Sequence, residues 1–477
     1  MSTHFLMIQD AIKRILSIAL FIILARLLDQ ETFGHYQQVM LVISFMAMIF
    51  TAGLPIALSF FYGQERDTKK NSSIFHRFLF YQICSIVVGA ILYLIFSGVI
   101  SDGFENTYLH DYAFYIVIVF IGIVLPDFIR NSSVLFNTMK SYTIITSSIQ
   151  IIAMLTTITL AIKTQNIQYL IIVGAISAVV LTLSLIISNR RKIFPFNISI
   201  KDGYKVKVEA KYILAMSATS FVGVINSYTD QITASFLLTP IQYSLLKVGA
   251  FQIPFISIVT GSILTAMIPI VSKLFEQKKF EEIENLWAFS IEKASVLLVP
   301  IVIFCMVFGR DIIIGFFGND YQLSVLVFQI YMFQWLRAVV VFGGVMGAIG
   351  LEKELFKNTV VIAAMNIVLN IFMIHKYGII GAAITTTVMN YFGGLLLIKK
   401  IDGVLNKKFF EYFPVKSYFL LLISSLILSI VLKIFVPVNH NIMILIPLSI
   451  VYYSIIILSW VKYKGNKICI ANIKGLL

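Results

Sequence analysis

Apolar runs long enough to cross a bilayer follow one another along almost the whole 477-residue chain, separated by short polar turns. A spanning helix needs about 20 apolar residues to match the hydrocarbon core. On that criterion fourteen spans are predicted, at roughly 5–28, 36–62, 74–100, 112–136, 142–162, 169–188, 212–237, 244–272, 286–308, 323–348, 358–375, 379–398, 418–435 and 442–461. The first is interrupted by Lys13 and Arg14, and the eleventh and twelfth meet at Tyr377 and Gly378. The fold class is therefore an all-α polytopic membrane protein.

Charge checks the count independently. Hydrophobic residues make up 59% of the chain and charged residues 13%, with 37 Lys and Arg against 23 Asp and Glu. On the fourteen-span reading 28 of the 37 fall on one side, six (Arg26, Lys163, Lys247, Arg310, Lys376 and Lys433) on the other, and Arg130, Lys293 and Arg337 within spans. Positive loops face the cytoplasm, so both termini are expected inside. The net charge of +14 thus reports topology. A nucleic-acid partner is excluded, because binding one needs a soluble basic face. No cleavable signal peptide is expected at the N-terminus. Cys84, Cys305 and Cys469 have neither a disulfide framework nor a metal spacing.

The longest stretch between spans, 189–211, carries seven positive charges and follows the sixth span. It divides the chain into a six-helix lobe at 1–200, a second at 201–400, and a terminal hairpin with a cytoplasmic tail at 401–477. A repeat supports the division. The segments beginning at Ala25 and Ser235 each close the first hairpin of a lobe, and pairing Leu27 with Leu237 also pairs Leu28 with Leu238 and Phe33 with Tyr243. Six spans return the chain to its starting side, so the repeat is parallel. The longest outer connection on the N-terminal side is 101–111, no loop could fold into a catalytic domain, and no phosphate loop, zinc-protease or nucleophile-elbow motif occurs.

Several stretches carry a family resemblance. FIILARLLDQETFGHYQQVMLVISF at 21–45, followed by AGLPIALSFFYG at 52–63, resembles the N-terminal signature of the Wzx-type polysaccharide flippases of the multidrug/oligosaccharidyl-lipid/polysaccharide superfamily. Segments 261–274, 308–331 and 366–390 agree with it, the last with Gly378, Gly381, Ala382 and Ala383 in place. The resemblance implies two pseudo-symmetric six-helix lobes around a central cavity (the MATE-like arrangement) and alternating access. It also implies an undecaprenyl-diphosphate-linked glycan as cargo. Fourteen spans exceed the twelve common among Wzx proteins and match the lipid II flippases, whose extra pair lines a groove for the lipid tail. The terminal pair here is accordingly expected to face lipid.

Charges within spans are the candidate site residues, since an arginine at a helix centre costs about 2.5–3.5 kcal/mol on insertion scales. Arg337, with Gln329 and Gln334 on its outer side, reads as a cavity arginine whose planar fork suits a diphosphate; the alternative is a structural ion pair. Arg26 and Lys247, with Gln37 and Asp230 at similar depth, read either as an outer vestibule for sugar or phosphate or as interfacial snorkelling. Asp230 doubles as a coupling carboxylate. Asp127 and Arg130 share a helix face and are expected to pair with each other, as a gate or a self-neutralising pair. Pro126 exposes backbone acceptors beside them. The Gly343/Gly347 spacing reads as close helix packing.

These features specify a transporter without covalent chemistry. The expected function is translocation of lipid-linked oligosaccharide to the outer leaflet of a bacterial cytoplasmic membrane, for O-antigen, capsule or exopolysaccharide synthesis. The lipid bilayer is its setting, with a polysaccharide polymerase and chain-length regulator as candidate partners. No cofactor is expected. Coupling could be to H+, to Na+ or to the membrane potential, which is worth about 2.3 kcal/mol per charge per 100 mV. Lipid II transport and cation-coupled multidrug export are the alternatives within the superfamily; the latter favours carboxylates over a central arginine.

Overall fold

The computed structural model describes residues 2–51, 53–64, 68–193, 203–405, 407–436 and 438–464. Arg66, Lys201, Lys467, Lys474 and Cys469 lie outside the described residues, as do residues 194–202 of the basic connection at 189–211. Every regular element among the described residues is helical. Two compact units divide the chain, Met1–Ser244 and Leu245–Leu477.

In the first unit α1 is Ser2–Leu27, α2 Gln30–Thr51, α3 Leu54–Gln64, α4 Thr68–Gly103, α5 Tyr108–Asp111, α6 Ala113–Leu135, α7 Met139–Thr164, α8 Ile167–Ser188, α9 Arg190–Ile193 and α10 Gly203–Leu237. Helix α11, Pro240–Gly249, runs across the division between the units. The second unit continues with α12 Pro254–Glu276, α13 Phe280–Val307, α14 Gly309–Phe317, α15 Ser324–Trp335 and α16 Phe342–Ala348. It ends with α17 Glu352–Leu405, α18 Phe409–Tyr412, α19 Val415–Phe435 and α20 Ile442–Lys464.

Among the described residues eleven segments are long and apolar enough to cross a membrane. One of them, α17, is two limbs folded at Gly378 (φ +56°, ψ −136°). Asn358 donates to the Gly393 carbonyl from one limb to the other at 3.3 Å, and a side chain at Gly381 would strike the Met373 carbonyl. Counting α17 twice and adding the long α1 and α10 is consistent with fourteen passes.

Three spans that the hydrophobic pattern draws as single helices are broken, two of them at a glycine or proline. Between α2 and α3 the chain turns at Gly53 (φ +80°), where a Cβ would lie 2.5 Å from Ser217 Oγ on α10. The span expected at 244–272 is two helices, α11 and α12, with Pro254 at the first position of the second; proline cannot donate back into a preceding turn. In the tenth span α15 gives way to a 3-10 turn at Leu336–Val340, then to Val341 in a left-handed conformation (φ +51°), before α16.

The repeat survives in detail. Helix α1 ends at Leu27 and α10 at Leu237, while α2 begins at Gln30 and α11 at Pro240, so both pairs are 210 residues apart. Asp29 accepts from the Thr32 amide at 2.9 Å, and Thr239 accepts from the Gln242 amide at 3.3 Å, which is the same capping step in both hairpins. Phe33 and Tyr243 are both wholly buried. Ala113 and Ser324, which open α6 and α15, keep the spacing at 211. The paired leucines and aromatics in the sequence therefore mark equivalent structural positions.

Inside each unit, contact between helices relies on small residues and close fit, because lipid is as apolar as the helix faces. Gly122 of α6 lies against Ala178 of α8, and Gly344 of α16 against Leu264 of α12. The Gly343/Gly347 pair, expected to pack, instead faces open space, and the neighbouring Gly344 makes the contact. Aromatic rings fill the first unit's core around Phe75, Phe78 and Phe128. In the second unit Trp287 is wholly buried and donates to the Val340 carbonyl at 2.7 Å, which ties down the broken span. The terminal pair presents one face to protein. Tyr452 donates to the Pro300 carbonyl of α13 at 3.0 Å, while Ile434, Phe435 and Met443 are exposed.

Candidate functional site: a polar cavity and a partnered arginine

A cavity of about 690 Å³ lies within the first unit, lined from α1, α2, α3, α6, α7, α8 and α10. That volume is within the roughly 300–1,000 Å³ common for ligand sites. Its lining mixes apolar surface with amide, hydroxyl and phenol groups from Gln9, Ser44, Asn131, Gln150, Ser220 and Tyr228. Lys13, Asp127 and Arg130 are the charged lining residues.

Helix α1 begins at Ser2, which places Asp10 and Lys13 two to three turns inside it rather than in a loop. Gln9 and Asp10 then face α6. Arg130 Nη2 donates to both oxygens of Asp10, at 2.6 and 2.8 Å, and Arg130 Nε donates to Gln9 at 3.2 Å. Asp127 stands 3.9 Å from Nη1. The expected pair on one helix face is thus present, but the hydrogen-bonded partner of Arg130 is Asp10, 120 residues away in sequence. Pro126 leaves α6 without a break, and its carbonyl accepts from Tyr142 of α7 at 3.1 Å.

A second ion pair stands in the same unit. Arg77 of α4 holds Glu209 of α10 through two bonds, Nε to Oε2 at 3.1 Å and Nη2 to Oε1 at 2.5 Å, with both residues buried. Ser73 and Tyr81 complete the cluster. Counting charge by loops had placed Arg77 with the surface cations, and Glu209 sits in a lysine-rich stretch. Such a carboxylate among lysines is the only sequence signal for the pair.

The second unit holds its arginine differently. Arg337 lies in the 3-10 turn, half-buried, with Nη2 3.4 Å from Asn390 Oδ1 and its guanidinium 5.4 Å from the Phe342 ring centre. Asn390 donates to Gln334 at 3.1 Å, so Gln334 reaches Arg337 through Asn390. Among the described residues Arg337 has no carboxylate partner. Gln329 is occupied elsewhere, donating to the Met306 carbonyl at 2.9 Å.

Of the other candidates, Arg26 is exposed in the last turn of α1, and Gln37 is buried in α2. Asp230 is half-buried in α10, and Lys247 half-buried in the short α11 rather than in a long eighth helix. None of these four lines the cavity of the first unit. Gln37 and Lys247 fall 210 residues apart, so they occupy the same place in the two repeats. The residues that sequence reading missed are Gln9, Asp10, Gln150 and Asn390, all polar groups on otherwise apolar helices.

A helical membrane protein with two repeated lobes and a terminal pair has the architecture of the multidrug/oligosaccharidyl-lipid/polysaccharide superfamily. Its fold is similar to that of the lipid II flippase MurJ in an inward closed conformation, with a TM-score of 0.72 over 95% of this chain and 98% of that one at 18% identity. It also resembles an inward-facing multidrug resistance MATE family transporter of that superfamily, with a TM-score of 0.59 over 82% and 94% at 14% identity. The chain belongs to the polysaccharide biosynthesis protein family, whose profile matches residues 2–275. Among curated relatives, the probable low-salt glycan biosynthesis flippase Agl15 of Haloferax volcanii is 26% identical over 26% of this chain and 27% of its own length. The probable flippase AglR of the same organism is 22% identical over 37% and 38%. An uncharacterized membrane protein of Methanocaldococcus jannaschii is 25% identical over 56% and 50%. The chain therefore spans half or less of the length of the curated relatives it matches.

Proposed function

We propose that this protein is a flippase that carries an undecaprenyl-diphosphate-linked oligosaccharide across the cytoplasmic membrane for surface polysaccharide synthesis. The observation that carries the proposal is the open cavity of about 690 Å³ within the first unit, whose largely apolar wall is set with amide, hydroxyl and charged groups. A route for sugar hydroxyls through a bilayer needs such a lining, because each polar group moved into hydrocarbon without a partner costs several kcal/mol. Family membership and the flippases among the relatives support the coarser reading, a lipid-linked glycan as cargo. Arg337 supplies a cation for the diphosphate, and the prenyl tail stays in lipid. Transport proceeds by alternating access, with both termini cytoplasmic as the loop charges indicate. Membrane potential or a coupled H+ or Na+ drives it. A polymerase and a chain-length regulator act on the delivered glycan.

Purified full-length protein in liposomes should expose a prenyl-diphosphate-linked oligosaccharide to an external lectin faster than protein-free vesicles do. Equal rates from correctly folded protein would end the proposal. The terminal pair α19 and α20 favours a second reading, lipid II as cargo. Competition between lipid II and a simple oligosaccharide-lipid in the same vesicles separates the two.

A further inference from the structure

We propose that the cavity of the first unit selects uncharged sugars, an inference that rests on the flippase reading above. Its lining carries Lys13, Arg130 and Asp127, and Asp10, which pairs with Arg130 from outside the lining, offsets the remaining positive charge. The Arg130 fork, the group best suited to a sugar carboxylate, is already engaged. Both Asp10 oxygens hold Nη2, Gln9 holds Nε, and Asp127 stands 3.9 Å from Nη1.

The uncharged polar lining includes groups that both donate and accept, among them the amide of Gln150 and the hydroxyls of Ser44, Ser220 and Tyr228. Sugar hydroxyls have the same dual character, so they can exchange water for these groups one bond at a time. A uronic acid would instead bring a third carboxylate into a site whose guanidinium is taken. Asp10 and Asp127, both more than a third exposed, repel it across a partly hydrated surround, so the discrimination is moderate rather than absolute. Asp10 is the specificity-determining residue on this account, because it decides whether Arg130 is available.

The test uses full-length protein in liposomes and two probes, a prenyl-diphosphate-linked neutral trisaccharide and the same molecule with one hexose oxidised to a hexuronic acid. The diphosphate and tail are common to both, so the ratio of initial rates reports the sugar alone. The neutral probe should move faster by about threefold or more, as expected when a like charge approaches a partly hydrated carboxylate pair. Asp10→Asn releases the guanidinium and should bring the ratio towards unity. Gln150→Arg adds a cation from α7 without touching α1 and should do the same. Equal rates for the two probes in the unaltered protein, or a ratio that neither variant shifts, would overturn the inference while leaving the flippase reading standing. Movement of neither probe by folded protein would overturn the flippase reading itself.

Discussion

Arg77 and Arg130 of the first unit each grip a carboxylate on another helix, whereas Arg337 of the second, among the described residues, meets an amide and a ring but no carboxylate. All three confront the same difficulty, a permanent charge among apolar helices. In the first unit the charge is cancelled, so those arginines join helices and set the cavity's shape. In the second it is left in place, supported by a broken helix and by dipoles from Asn390 and Gln334. Neutralised charge builds a scaffold, and uncompensated charge is available to an anion.

Ranked by expected loss of stability, the variants that probe this contrast begin with Arg77→Ala. Its partner Glu209 has 3% side-chain exposure, so truncation strands a carboxylate and should cost about 3–5 kcal/mol. A fall in detergent-solubilised melting temperature measures it, and Glu209→Gln in the same chain should recover part of the loss. A melting temperature within a degree of the parent would show the pair to be idle. Arg130→Ala comes next. Asp10 is 42% exposed and therefore better hydrated, so about 1–3 kcal/mol is expected after allowing for screening. Adding Asp10→Asn should restore most of it, and non-additivity in that double-mutant cycle is the readout.

The two equivalent caps come third and sharpen the comparison between repeats. Asp29→Ala and Thr239→Ala should each cost about 1 kcal/mol. Their pH responses should differ. Burial works to raise the Asp29 carboxyl, but hydrogen bonds from the Thr32 hydroxyl and from backbone amides outweigh it, holding the group below its ordinary value of 3.8. A carboxyl depressed on folding stabilises fully above its unfolded pKa, and that contribution disappears as pH falls through the folded value. Amide exchange at Thr32 should therefore quicken in acid relative to Gln242, whose cap is a hydroxyl. Parallel behaviour of the two amides would break the assignment.

Much of this architecture is legible in the sequence, because apolar length is a direct consequence of bilayer thickness and loop charge orients each span. The break before Pro254 and the turn at Gly53 carry local signals. Val341 does not: a β-branched residue held at positive φ is imposed by its surroundings, among them the Trp287 bond to the Val340 carbonyl. The site was less legible for the same kind of reason. Spacing correctly puts Asp127 beside Arg130, yet the choice of Asp10 as the bonded partner depends on how α1 packs against α6. Likewise nothing local distinguishes Gly344, which makes the packing contact, from Gly343 and Gly347, which do not.

Arg337→Ala is the last variant and should cost least in stability, under about 1 kcal/mol, because it breaks one long hydrogen bond and a ring contact and strands no carboxylate. Transport should nevertheless be abolished if this guanidinium meets the diphosphate. Lysine keeps the charge without the planar fork and should restore only part of the rate. Gly394→Ala separates charge from position, since a methyl there would lie 2.8 Å from Arg337 Nη1 and push the guanidinium aside while leaving it charged. Slower transport with an unchanged melting temperature is the expected result for that variant. Melting temperature and oligosaccharide export measured on the same four proteins decide the matter. Loss of stability in Arg337→Ala comparable to that in Arg130→Ala would mean that Arg337 is scaffold after all, and normal export by a stable Arg337→Ala protein would remove it from the transport mechanism.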